Sequence, residues 1–324
     1  MTLYLNESDV RQLLDMSRAV EEVERAFSAH GRGQAVDIPR RRTRQPGGHL
    51  HILQAAAPEI GIIGYKAYYN KPGKPLNTLL HLLNHAQGHT EAIIESDWLG
   101  RIRTGAATGV AARYLAREDA RVLGLFGYGR HARTQLQAVC TVRDIDEVKV
   151  FGRNQDAVRA FCDEMSQQVP ARVRPAQSRE ETVRGSDIIV TMTRAFEPLF
   201  DGHWLEPGQF IAATGSNALD RREIDTETVR RADVIVVDSR EVAQGECGDL
   251  LPAYENGLIY WEHLADMGGV VAGRWPGRTS DAQITLFESH GMALQDLYAG
   301  AAVLAAARER GMGVPLPMMG PEEK

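Results

Sequence analysis

The residues best suited to chemistry in this chain are a glycine turn and a few awkwardly placed cations. Gly127, Gly129 and Ala132 stand in the spacing G-x-G-x-x-A. They follow the apolar run Val122 to Phe126 directly, and Arg130-His131-Ala132 opens a helical segment. In this order a strand, a glycine turn and a helix N-terminus cradle a pyrophosphate. Gly127 allows the tight turn. Gly129 has no Cβ to hold a diphosphate away from the backbone. Ala132 lets the helix pack on its strand, and the amides at the helix start supply the anion site. An ordinary glycine turn has the same composition, so the context decides. A second apolar run, Val148 to Phe151, lies where the next strand of a βαβ unit belongs, and it ends in Gly152-Arg153-Asn154. NAD sites usually place an acid there for the ribose 2′-hydroxyl. Here a guanidinium stands instead, which suits a 2′-phosphate, so NADP(H) is favoured over NAD(H). A solvated loop cation is the other reading of Arg153.

The remaining cations ask for partners. Lys66 interrupts the apolar and aromatic run GIIGYKAYYN, where an unpaired buried ammonium is costly. Arg103 sits near the start of the small-residue helix WLGRIRTGAATGVAARYLA, where the helix dipole repels a cation. An anionic ligand would remove that conflict, and so would a structural ion pair. Ile38-Pro39-Arg40-Arg41-Arg42-Thr43-Arg44 reads on composition as a solvated basic loop. His81, His85 and His89 are spaced four apart, but they straddle a hairpin around Gly88 and share no helical face, so no metal site is expected.

These residues need elements to hold them. The chain has 324 residues, enough for two domains, and 43% of them are hydrophobic, as in soluble globular proteins. The net charge of −6 argues against a nucleic-acid or anionic-membrane partner. Cys140, Cys162 and Cys247 are scattered without metal spacing, which suits a reducing cytoplasm. Neither a signal peptide nor a membrane span is expected. One amphipathic helix, capped by Ser8 or Asp9, carries Leu13, Met16, Val20, Val23 and Phe27 on one face. Short strands follow at Leu50 to Leu53, Ile62 to Tyr69, Leu79 to Leu83 and Glu91 to Glu95. Beyond the glycine turn an αβ rhythm takes over. Asp187 to Met192, Gln209 to Thr214, Asp233 to Val237 and Gln283 to Phe287 read as buried strands of a parallel sheet. Their carboxyl ends carry Thr191-Met192-Thr193, Gly215-Ser216-Asn217, Asp238-Ser239 and Ser289-His290-Gly291, where open α/β sheets bind ligands. A helix from Ala293 to Arg308 closes the chain, and the tail GVPLPMMGPEEK reads as extended.

The stretches GYKAYYN, RIRTGAATGVAARYLA, GLFGYGRHARTQ, ATGSNALDRREID and GRTSDAQITLFESHG resemble, in that order, the ornithine cyclodeaminase/μ-crystallin family. The resemblance covers nearly the whole chain. It implies an α/β fold: a Rossmann dinucleotide-binding domain, residues 119–291, inserted into an α+β substrate-binding and dimerisation domain, residues 1–118 plus 292–324. It also implies a homodimer and chemistry on the C–N bond of amino or imino acids.

Carried over residue by residue, the family's substrate-carboxylate clamp falls on Lys66, Arg103 and an arginine of the basic run. The pattern proline, any residue, arginine favours Arg41, with Arg40 or Arg42 as alternatives. Cofactor contacts fall on Thr104, Gly127, Gly129, Arg130, His131, Ala132, Arg153, Asn154, Thr191, Met192, Thr193 and Ser289. Candidate catalytic positions are Lys66, His290 and Asn217. Where the cyclodeaminases carry an aspartate for proton handling, this chain aligns Asn217, an amide that cannot act as a base near neutral pH. That departure points to an NAD(P)H-dependent reductase of α-imino acids, able to run in reverse as an amino acid dehydrogenase. Lys66 and His290 are its candidate proton donors. The alternatives are an ornithine- or lysine-type cyclodeaminase with tightly bound NAD, and a non-catalytic NADPH-binding, crystallin-like role.

Overall fold

The computed structural model describes residues 2–317. The chain forms two compact units, residues 1–103 with 292–324, and residues 104–291. The boundary falls inside the helix Asp97–Leu115.

The first unit is built on a seven-stranded sheet. Its strand order is Val314–Leu316, Thr2–Leu5, Thr90–Glu95, Thr78–Asn84, Ile62–Asn70, Gly48–Ala57, Val36–Gln45. Val36–Gln45, read from composition as a basic loop, is an edge strand paired with Gly48–Ala57. Charge is what a sheet edge requires, since charged side chains deter pairing with other chains. The single N-terminal helix expected from periodicity is two, Glu7–Leu13 and Met16–Gly31. Asn6, rather than Ser8 or Asp9, caps the first in a capping box with Asp9, and Asp15 caps the second. The apolar face of Met16–Gly31, with Val20, Val23 and Phe27, is buried.

Strict alternation separates the two faces of this sheet. Leu53, Ala55, Ala57, Ile62, Leu80 and Leu82 are buried, and the helix Ala293–Arg310 packs on this side. That approach depends on Gly300, where a Cβ would lie 2.5 Å from a methyl of Leu80. The opposite face leaves Leu50, Ile63, Tyr65, Tyr69 and Leu79 exposed. Leu50 is the register partner of Tyr69, and Tyr65 stacks flat on His81.

The second unit holds an eight-stranded, wholly parallel sheet. Its order is Ala265–Asp266, Val234–Val237, Thr285–Glu288, Phe210–Ala213, Ile188–Thr191, Val122–Phe126, Glu147–Phe151, Arg172–Pro175. The central strands Val122–Phe126, Ile188–Thr191, Phe210–Ala213 and Thr285–Glu288 are buried almost throughout, which explains their unbroken apolar runs. Strand order reverses between Val122–Phe126 and Ile188–Thr191, so the glycine turn stands at the topological switch point. Phe126, Ile189, Ile211, Val237 and Leu286 anchor one hydrophobic cluster of this unit. Among the described residues no helix is long and apolar enough to cross a membrane. Of the tail, Val314–Leu316 is a strand, while Met318 onward lies outside the described residues.

Candidate active site

In the first unit the two awkward cations converge. Lys66 Nζ donates to Asp296 Oδ2 at 2.6 Å, and Arg103 Nε donates to Asp296 Oδ1 at 2.9 Å. Arg103 Nη1 adds a bond of 2.9 Å to Gln295 Oε1. Lys66, Arg103 and Asp296 are all buried. Asp296 is the partner of these cations that sequence reading missed. The available signal was a carboxylate in the first turn of the helix Ala293–Arg310, just before the long apolar and small-residue stretch Leu297 to Ala307. That helix start is itself held by Asp37 on the edge strand, which accepts from the Leu294 amide at 2.8 Å. The conflict between Arg103 and its helix dipole is therefore relieved by an ion pair within the protein.

Electrostatics make Lys66 unusual. Burial, reinforced by the charge of Arg103, pulls its ammonium down to about 7, although Asp296 opposes the shift. Burial alone would raise the Asp296 carboxyl, but Arg103 and Lys66 hold it below the usual carboxylate range. Two cations thus share one anion, leaving positive charge in a buried place.

The structure also places the arginine run. Lys66 is the register partner of Leu53, and Arg41 is the partner of Ile52. Side chains alternate along a strand, so Arg41 lies on the face opposite Lys66, and it is exposed. The ladder skips between Ile38 and Arg41, leaving Pro39 and Arg40 opposite Leu53. Arg40 is half-buried, and its charge contributes to depressing Lys66. Arg40 is thus the member of the run that the fold brings to Lys66, where the sequence pattern favours Arg41.

In the second unit the glycine turn has the geometry its spacing implies. Gly127 adopts φ +118°, and a Cβ there would lie 2.4 Å from the Met192 carbonyl oxygen. Gly129 is the N-cap of the helix Arg130–Val142, and a Cβ on it would point into open space. Ala132 is fully buried, and Gly124 lets the strand approach the Thr182 carbonyl. These features fit a dinucleotide pyrophosphate on the helix N-terminus. Arg153 is exposed beyond the strand Glu147–Phe151, and Asn154 caps the next helix by accepting from the Ala157 amide at 3.1 Å. Thr104 begins this unit, and its carbonyl accepts from Gln135.

The loops at the carboxyl ends are fixed by buried acids. Glu223 accepts from Thr191 Oγ1, Thr193 Oγ1 and the amides of Thr193 and Gly215, all within 2.6–2.9 Å. Burial and the neighbouring Asp249 push its carboxyl up to about 7 against those donors. Met192 lies between the two threonines and is half-buried. Asp238 Oδ2 gathers Ser289 Oγ and the amides of His290 and Gly291 at 3.2, 2.7 and 2.6 Å. The His290 ring stands 3.7 Å from its other oxygen. Burial alone would raise Asp238; His290 and these amides hold it low. Cys247, Glu288 and His290 bring their ligand atoms within 4.8 Å of one another, although the three cysteines are scattered in sequence. Asn217 and Asp220 are both exposed.

The ornithine cyclodeaminase/mu-crystallin family profile matches residues 1–311. The chain belongs to this family. A solved structure of Thermococcus litoralis Δ1-pyrroline-2-carboxylate reductase, in complex with NADH and L-proline, is 33% identical. It superposes with a TM-score of 0.92, covering 97% of this chain and 100% of that one. An archaeal alanine dehydrogenase dimer with bound NAD is 32% identical, TM-score 0.92, covering 98% and 99%. The iminosuccinate reductase of Paracoccus denitrificans is 28% identical over 327 residues, 96% of this chain and 98% of its own. The present family member is an oxidoreductase.

Proposed function

We propose that the protein is an NAD(P)H-dependent reductase of α-imino acids that can also run oxidatively on the amino acid. The observation that carries this reading is the shared Asp296 carboxylate, which gathers Lys66 and Arg103 in one buried place and leaves cationic charge there for a substrate carboxylate. Arg40 is the third member of the clamp. An arginine fork suits a carboxylate, and charge-assisted bonds are the stronger kind. Bound reduced nicotinamide would supply the hydride. Gly127, Gly129, Arg130, His131 and Ala132 hold its pyrophosphate, and the loops Thr191-Met192-Thr193 and Ser289-His290-Gly291 border it. Lys66 carries a proton that it can release near neutral pH, which makes it the donor of choice to the substrate nitrogen. His290, fixed by Asp238, is the second candidate.

Asn217 supports reduction over ammonia loss. A cyclodeaminase needs a base there, and the nearby Asp220 is exposed. Arg153 supports NADP(H) over NAD(H). The apolar outer face of the first sheet, with Leu50, Ile63, Tyr65, Tyr69 and Leu79, supports a homodimer joined through that face; a monomeric mass in solution would overturn this. Three free thiols, Cys140, Cys162 and Cys247, suit a reducing cytoplasm.

The test is a spectrophotometric screen. Purified protein receives NADPH or NADH with pyruvate, glyoxylate, oxaloacetate or a cyclic ketimine, and ammonia or methylamine where an imine must form. The expected result is cofactor oxidation with the cyclic ketimine, or with an oxo acid only when the amine is present. Arg103→Ala should raise the substrate KM roughly 10- to 100-fold, the loss of a charged hydrogen bond, with cofactor affinity unchanged. Cofactor binding without turnover of any imine would favour a non-catalytic binding role.

A further inference from the structure

His51 is a buried polar group that the clamp does not use. It lies on the strand Gly48–Ala57 two residues from Leu53, the register partner of Lys66, and its own partner is Tyr68. His51 and Lys66 therefore share one face of the sheet as diagonal neighbours, roughly 7–8 Å apart at Cα. The imidazole is 8% exposed and stacks on the Tyr68 ring at 4.5 Å and 7°. Among the described residues neither Nδ1 nor Nε2 has a hydrogen-bond partner. Buried polar groups are usually paired, and stacking on Tyr68 alone would be served equally by an apolar or aromatic side chain.

The surroundings define what would pair with it. Burial, then the charges of Arg40, Arg42 and Arg44, pull the imidazole down to about 4. It is neutral at ordinary pH, with one nitrogen donating and the other accepting. Arg42 is the register partner of His51 across the sheet. Arg40 depresses both His51 and Lys66, so one positive field spans both positions. An anionic oxygen satisfies a donor nitrogen in such a field, whereas an alkyl group leaves both nitrogens against carbon.

We propose that His51 is a specificity-determining residue that binds a second carboxylate, so that the substrate is an α-imino dicarboxylic acid. Lys66 and Arg103 hold the α-carboxylate, and His51 takes the distal one. This rests on the imine-reductase reading above. A site that hydrogen-bonds a substrate group discriminates strongly against the analogue that lacks it, because its own polar atoms are then left unpaired.

The test compares wild type, His51→Leu and His51→Gln. Rates are measured with the ammonia imines of oxaloacetate, 2-oxoglutarate and pyruvate. Binding of aspartate, glutamate and alanine to cofactor-loaded protein is followed by calorimetry, and circular dichroism checks the fold of each variant. Wild type should prefer a dicarboxylate in both assays. His51→Leu should lose roughly 10- to 100-fold in kcat/KM for it, with the pyruvate imine changed less than about threefold, and His51→Gln should recover part of the loss. Equal losses on all substrates would make His51 structural, and no loss, or a wild-type preference for pyruvate, would overturn its role. Either result leaves the reductase reading standing. Wild-type protein that neither reduces any imine nor binds any of these amino acids would overturn both.

Discussion

Lys66 and Arg103 each take one oxygen of the same carboxylate, Asp296, at 2.6 and 2.9 Å. The pairing joins positions 230 and 193 residues apart in the chain. It turns two isolated buried cations into one charged group with a net positive excess. Under the proposed function, catalysis and stability both depend on it.

Removing the shared anion is the first consequence. Asp296→Asn keeps the shape but leaves Arg103 uncompensated and drives Lys66 further toward its neutral form. The expected loss is about 3–5 kcal/mol of folding stability, the usual cost of stripping one partner from a buried pair. Urea denaturation measures it; a loss under about 1 kcal/mol would mean that the cations do not depend on Asp296.

The depressed ammonium of Lys66 sets the pH dependence. Below about 7 it is charged, so it can bind a carboxylate and donate a proton; above, it loses both abilities. The kcat/KM of the reductive reaction should therefore fall as pH rises through about 7. Lys66→Arg, charged throughout, should remove that limb while keeping part of the substrate affinity. Persistence of the limb in the variant would assign it to another group.

Cofactor choice can be separated from substrate binding. Arg153 is exposed beside the strand end where a ribose 2′-substituent is read. Arg153→Ala should weaken NADPH about tenfold relative to NADH, or about 1.4 kcal/mol. An unchanged ratio in fluorescence titrations would remove the preference for NADP(H).

The acid cluster of the second unit predicts a stability profile. Burial first, then Asp249 and Glu223, push the Glu288 carboxyl well above its ordinary range. Its folded value exceeds its unfolded one. Its contribution is therefore fully present below the unfolded value and is lost as pH rises through the folded one. Glu288→Gln should consequently gain in Tm relative to wild type at pH 8 more than at pH 5. A Tm difference that is the same at both pH values would show that Glu288 stays ionised in the fold.

Local pattern was enough for the dinucleotide half. A strand, a tight turn and a helix start are contiguous in sequence, and their glycines are required by a positive φ at Gly127 and a close backbone approach there. Unbroken apolar runs marked the parallel strands, because burial on both faces leaves no alternation to read. Lys66 and Arg103 announced themselves as cations in need of an anion.

The identity of that anion was beyond local pattern. Asp296 reaches them only because the helix Ala293–Arg310 packs back on the first sheet, and no short-range rule links residues so far apart. The basic run shows the same division. Its composition read as a solvated loop and only the family resemblance pointed to one of its arginines, but a strand's side chains alternate faces, so a shift of one residue reverses every assignment. The irregular register between Ile38 and Arg41 turns Arg40, not Arg41, toward Lys66. Sequence determined which kinds of charge this protein carries and where its cofactor turn begins; pairing and packing decided which charges meet.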